Sequence, residues 1–146
     1  MFEVHGGEQL ERLSQALKRA GSLDLQRELS KAITAEMKPL REQVKNNAVA
    51  TLPRRGGLNK RVANSQLRTV KLRGGVRLQA RSSYSLKLLD RGIVAHPVFG
   101  NRSRWVTEKV RPGWWSNPTK AAAPDVQKKL QAAMDQVAAK LSRVTR

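Results

Sequence analysis

Leu10, Leu13 and Leu17 recur at helical spacing, and Gly21 ends that short helix. Ser22 or Asp24 is placed to cap a second helix. Leu25, Leu29, Ile33, Met37, Leu40, Val44 and Ala48 follow at steps of four and three. The pattern predicts one apolar stripe on a helix of roughly seven turns. Its other face carries Arg27, Glu28, Lys31, Lys38, Arg41, Glu42 and Lys45, an ordinary solvated face. Pro39 removes one backbone donor inside this helix and predicts a kink near Ala35–Pro39.

Leu52-Pro53-Arg54-Arg55-Gly56-Gly57 breaks the helix, and the period then changes to two. Val70 and Leu72 alternate with Thr69, Lys71 and Arg73. Val76, Leu78 and Ala80 alternate with Arg77, Gln79 and Arg81. This is a β-hairpin pattern over Leu67–Leu72 and Val76–Arg81. A two-residue Gly74-Gly75 loop would pair Leu72 with Arg77. A three-residue loop, Arg73-Gly74-Gly75, pairs Leu72 with Val76 and keeps one face apolar. That register sets Lys71 across from Arg77 on the outer face, a repulsive pair. Either an anion lies over that face or both side chains splay into water.

Leu86, Leu88 and Leu89 lead to Asp90-Arg91-Gly92, and Ile93-Val94-Ala95 reads as a short strand. His96–Arg102 reads as a loop by its Pro, Gly and Asn; Trp105–Val110 reads as another strand, closed by Arg111-Pro112-Gly113. Four of the six aromatics (Phe99, Trp105, Trp114 and Trp115) fall within these positions. Aromatics in a basic loop serve as interface anchors or stacking platforms, or form a satellite core under the loop. Pro124 and Asp125 suit the start of a closing helix, on which Val126, Leu130, Ala133, Met134, Val137, Leu141 and Val144 form a stripe. The order of elements predicts an α+β fold. A small antiparallel sheet with a β-hairpin packs against a long N-terminal helix and a C-terminal helix, in a single domain over 1–146. Residues 1–7 read as a flexible tail.

Charge narrows the partners. The 146 residues carry 29 Lys and Arg against 11 Asp and Glu, a net charge of +18. Residues 1–51 are close to balanced, with 8 basic and 7 acidic side chains. Residues 52–111 hold 15 basic side chains and only Asp90 and Glu108 as acids. Such a cluster suits attraction to phosphate or to an acidic protein surface, against the plainer use of keeping the chain soluble. No apolar run approaches a membrane span, and the first residues lack the basic and apolar segments of a secretory signal.

Catalytic residues are sparse. There is no cysteine, so disulfides, thiol chemistry and Cys-based zinc sites are excluded. His5 and His96 are the only histidines, and neither has a partner at metal-ligand spacing. Gly56-Gly57 and Gly74-Gly75 lack the Gly-Lys-Ser/Thr ending of a phosphate loop, and Ser82-Ser83 has no base nearby in sequence. The basic segment has too few carboxylates for a magnesium-dependent nuclease. The expectation is a protein that is no enzyme and takes no cofactor or metal.

The stretch Leu89-Asp90-Arg91-Gly92-Ile93-Val94-Ala95-His96-Pro97-Val98-Phe99-Gly100-Asn101-Arg102, followed by Trp105-Val106 and Pro112-Gly113-Trp114-Trp115, resembles the siphophage neck proteins. These form a head–tail joining or tail-completion family of lambdoid and actinobacterial phages. Leu52–Leu58 and Val62-Ala63 fit the family's middle region. The two long helices agree in order and length, so the resemblance covers nearly the whole chain. It implies a virion component, assembled in the host cytoplasm, that forms a homo-oligomeric ring in the neck. Sixfold symmetry, matching a tail tube, is favoured over twelvefold. The ring would meet a head-closure or adaptor ring on one side and a tail terminator or tail tube on the other, with genome DNA passing through and touched without sequence preference. The partner-ring interface is expected at His96, Pro97, Val98, Phe99, Gly100, Asn101, Arg102, Trp105, Trp114 and Trp115. Lys71, Arg73, Arg77 and Arg81 are expected to face the DNA channel or an acidic partner. Charge alone supports a different reading, a monomeric basic nucleic-acid-binding protein; a neighbouring tail-terminator ring is a third.

Overall fold

The stripe that begins at Leu25 folds as one long helix in the computed structural model of the chain. The structure describes every residue except 1, 6, 73, 74, 83, 84, 99, 145 and 146, and the side chains of all these but residues 4, 5 and 7. In chain order the elements are β1 (Phe2–His5), α1 (Gly7–Arg19), α2 (Leu23–Thr51), a 3-10 turn at Arg55–Gly57, α3 (Leu58–Ala63), β2 (Gln66–Leu72), β3 (Gly75–Arg81), α4 (Leu86–Asp90), β4 (Ile93–Val98), β5 (Asn101–Lys109) and α5 (Ser116–Val144). The fold is α+β, with two small antiparallel sheets and with α2 and α5 packed against one of them. All seven stripe positions of α2 are buried, and the helix continues through Pro39 as one element.

The chain divides into two compact units. The first comprises residues 1–40, 68–79 and 122–146. Its sheet has the order β1-β3-β2. Val76 and Leu78 on the central strand are fully buried, as is Leu17 of α1; Met37 and Leu40 of α2 and Leu130, Met134 and Val137 of α5 are nearly so. Apolar residues at periods of two and of about 3.6 bury one face of each element, so the core follows from the patterning.

Three expectations change in this unit. Residues 2–5 form β1, antiparallel to β3, with Glu3 opposite Arg77 and His5 opposite Gly75, where a flexible tail was expected. Gly75 therefore belongs to β3 and not to the hairpin loop. The loop itself, with Arg73, lies outside the described residues. Lys71 and Arg77 do not form a bare repulsive pair. Arg77 Nε donates to Glu3 Oε1 at 2.7 Å, while Lys71 Nζ donates to Ser30 Oγ on α2. Lys71 also lines a cleft of about 530 Å³ with Leu10, Leu17, Leu29 and Ile33, so it is turned toward α1 and α2. A third strand supplies the anion that a two-stranded hairpin lacked. Arg81, at the end of β3, is exposed.

The second unit comprises residues 41–67 and 80–121. Val44, Ala48, Leu52, Val62, Leu89, Trp114 and Trp115 are its buried apolar residues of largest consequence. The buried Asn59 side chain is satisfied within the unit, donating from Nδ2 to Val49 O at 3.1 Å and accepting from Lys60 N at 2.9 Å. α5 begins here at Ser116, eight residues before the start expected at Pro124, which lies inside the helix.

Core truncation tests this assignment. Leu78→Ala and Leu130→Ala should each lower the unfolding free energy by about 2–5 kcal/mol, read by chemical denaturation. Either variant unfolding at the wild-type midpoint would place that side chain at the surface.

Candidate interaction surface

The helix start and the ribbon in the second unit share a single root. Asp90, the last residue of α4, accepts hydrogen bonds at Oδ1 from Trp115 N and Ser116 N, both at 2.9 Å, and at Oδ2 from Ser116 Oγ at 2.7 Å. A carboxylate on the first amides of a helix satisfies orphan donors and opposes the positive end of the helix dipole. Its own carbonyl accepts from Gly113 N at 2.9 Å. Asn47 of α2 holds the other side of the turn, donating from Nδ2 to Trp114 O at 2.9 Å and to Gly113 O at 3.3 Å.

Two glycines are required by this root. Gly92 has φ +90°, and a Cβ there would sit 2.8 Å from Val110 O. Gly113 has φ +91°, and a Cβ would meet the Asn117 side chain at 2.4 Å. Both positions therefore combine a left-handed backbone with close approach. Val110 N donates to Gly92 O at 2.8 Å and closes the base of the ribbon.

From this base β4 and β5 extend as a separate antiparallel ribbon, pairing Ile93 with Lys109, Val94 with Glu108, Ala95 with Thr107, His96 with Val106 and Pro97 with Trp105. The register then jumps, so that Val98 faces Asn101. Much of the expected 96–102 loop is thus strand: His96, Pro97 and Val98 end β4, Asn101 and Arg102 begin β5, and Gly100 turns between them. Phe99 lies outside the described residues. Asn101 Oδ1 accepts from Ser103 N and Oγ, and Trp105 Nε1 donates to Arg102 O at 2.7 Å. Every residue of β5 is exposed, including Trp105 at 59% and Val106. A two-stranded ribbon is marginal in water, and large apolar side chains on an open strand mark a contact surface.

The aromatics thus part company. Trp114 and Trp115 were expected at a partner interface, but both are buried. They meet edge to face at 5.6 Å, and Trp114 Nε1 donates to Leu86 O at 3.2 Å. They form the core beneath the ribbon's root and are not surface anchors; Trp105 is the exposed one.

Charge is concentrated in the same unit. It holds 14 Lys and Arg against 3 Asp and Glu. Asp90 is committed to the start of α5. Glu108 lies 3.2 Å from His96 Nε2 on the ribbon. By contrast, the first unit pairs Arg12 with Glu8, Arg77 with Glu3, Lys129 with Asp125 and Lys140 with Glu28. Among the described residues no group of three or more His, Asp or Glu side chains is placed to hold a metal ion, and no helix is long and apolar enough to cross a membrane.

No protein-family model matches the chain, and neither a curated protein nor a solved structure matches it.

The hydrogen bond with Glu108, and secondarily the Pro97 carbonyl, hold the His96 imidazolium above its ordinary range. A raised folded-state value means the attraction is present in full below about pH 6.5 and is lost as pH rises through the raised value. NMR titration of the His96 ring should show an elevated midpoint that returns toward the ordinary value in Glu108→Gln. An unchanged midpoint in that variant would remove the pair.

Proposed function

We propose that the chain is a non-catalytic assembly subunit of a phage neck, forming a ring that joins the capsid connector to the tail tube and lets genome DNA pass. The observation that carries the reading is the β4–β5 ribbon, an arm with an exposed nine-residue strand and an exposed Trp105. Of the residues that resemble the neck family, 89–98, 100–102, 105–106 and 112–115 build this arm and its root, while 52–58 and 62–63 lie outside it. Two kinds of role are combined in them. Asp90, Gly92, Gly113, Trp114 and Trp115 hold the base, and His96, Pro97, Val98, Gly100, Asn101, Arg102, Trp105 and Val106 form the part offered to a neighbour.

The charge fits the same setting. The contact with DNA or with acidic rings is assigned to the second unit, with its net +11, which includes the exposed Arg81 at the end of β3; Lys71 and Arg77 of the hairpin are left out, since Ser30 and Glu3 engage them. Contacts with phosphates through exposed Lys and Arg are sequence-independent and weaken with salt, as a conduit requires. Sixfold symmetry remains favoured over twelvefold, with a head-closure or adaptor ring and a tail terminator or tail tube as neighbours.

The same charge concentration favours a second reading, a monomeric nucleic-acid-binding protein. Immunogold labelling of virions separates the two: label at the head–tail junction supports the neck. A protein absent from particles that binds random duplex DNA as a monomer, with steep salt dependence, would overturn it. In the neck, Trp105→Ala should leave the subunit folded and produce separate heads and tails. Wild-type yields of joined particles would remove the arm from the assembly contact.

A further inference from the structure

We infer that the outer edge of β5 pairs antiparallel with β5 of a second copy, about a two-fold axis at Val106. The pairing makes a continuous four-stranded sheet with the two β4 strands outermost. It involves the same arm as the neck reading but does not depend on that reading.

The choice of edge follows from the ladder. Val110 N donates to Gly92 O, so alternation directs the backbone groups of Glu108 and Val106 toward β4 and those of Lys109, Thr107 and Trp105 outward. The corresponding outward positions of β4 are Ile93, Ala95 and Pro97, and Pro97 has no N–H to give. One edge of the ribbon is therefore blunted, while β5 presents open backbone donors and acceptors at Trp105, Thr107 and Lys109.

The choice of partner follows from the side chains. Read backwards, Arg104-Trp105-Val106-Thr107-Glu108 complements itself. With Val106 opposite its own copy, Arg104 faces Glu108 of the second copy on both sides of the axis, and Trp105 faces Thr107. Opposite charges directly across an antiparallel pair attract, and like charges there repel. Sliding the second strand by two residues breaks this match. One slide sets Val106 against Glu108. The other draws Arg102 and Ser103 into the ladder, where residues 102–104 bulge without a partner on β4 and Asn101 Oδ1 already takes the Ser103 amide and hydroxyl. The pairing covers Val106 and shields Trp105, the two exposed large apolar side chains among the described residues of the ribbon. Glu108, already beside His96, gains Arg104 of the second copy on the same face.

A two-fold contact is isologous and closes on itself, so it is not the contact repeated around a cyclic ring. It occupies the arm in the free subunit and must open before the arm engages a neighbouring ring.

The chain has no cysteine, so Val106→Cys introduces a single thiol at the axis. Non-hydrogen-bonded antiparallel pairs have Cα atoms about 4.5 Å apart, within disulfide reach. Mild oxidation should give a covalent dimer on a non-reducing gel, and Val94→Cys on β4 should stay monomeric. Light scattering should find wild type a dimer at about 100 μM, a level at which weak strand-addition contacts are populated. Glu108→Arg and Arg104→Glu should each be monomers with wild-type circular dichroism, and the double exchange Arg104→Glu with Glu108→Arg should restore the dimer. A monomeric wild type overturns the pairing. So does cross-linking no faster at position 106 than at 94, or a double exchange that stays monomeric while folded. None of these outcomes bears on where the protein sits in a virion, which labelling reads separately.

Discussion

One carboxylate sets the geometry on which the proposed arm depends. Asp90 bonds the first amides of α5, and its carbonyl takes the Gly113 amide. The segment that returns from β5 is thereby fastened to the segment that leads into β4. Charge-assisted bonds to helix-terminal amides are stronger than neutral ones. Removing an ordinary cap costs about 0.5–2 kcal/mol, and this one is part-buried and also holds Ser116 Oγ. Gly92, Gly113 and the two buried tryptophans are consequences of the same closure. At Gly92 the backbone of Val110 comes too close for a Cβ, at Gly113 the Asn117 side chain takes its place, and the space beneath is filled by indole rings.

The parts of the fold that were legible in the sequence are those fixed by local periodicity. The stripes of α1 and α2, and that of α5 from Val126 to Val137, are buried as their spacing requires, because a helix face is determined by its own residues; the expected continuation fails at the end of α5, where Leu141 is half-buried and Val144 is exposed. The β2 and β3 strands were legible for the same reason. The start of α5 was not: its cap lies 26 residues away in sequence, and Pro124 offered a locally better start. β1 was not legible either. A four-residue strand has too few alternations to register, and its partner Arg77 is 74 positions distant. That omission produced the error over Lys71 and Arg77, because a hairpin read as two-stranded has no place for Glu3. For the candidate site, the sequence singles out a segment but does not say which of its tryptophans are buried. Trp105, Trp114 and Trp115 have the same composition cue, and only the backbone bonds around Asp90 and Asn47 turn two of them inward.

The two units divide the electrostatic labour. Most acids of the chain lie in the first unit, where several meet exposed bases in pairs worth little to stability. The second unit keeps a net +11 and spends one of its three acids on holding α5. The bases are shared almost evenly, 15 in the first unit and 14 in the second, so the scarcity of acids is what leaves the second unit more positive, and the polyanionic or acidic neighbour proposed above would make use of it. The open strand thus belongs to the more positive of the two units.

The central claim is that Asp90 ties the start of α5 to the base of the ribbon as one cooperative element. Residue-resolved hydrogen exchange of Asp90→Ala against wild type tests it most directly. The account predicts that Trp115, Ser116 and Val110 amides lose protection together, while Val76 and Leu78 in the first unit keep theirs. Unchanged protection at Val110, with loss confined to the first turn of α5, would show that the ribbon stands without the carboxylate.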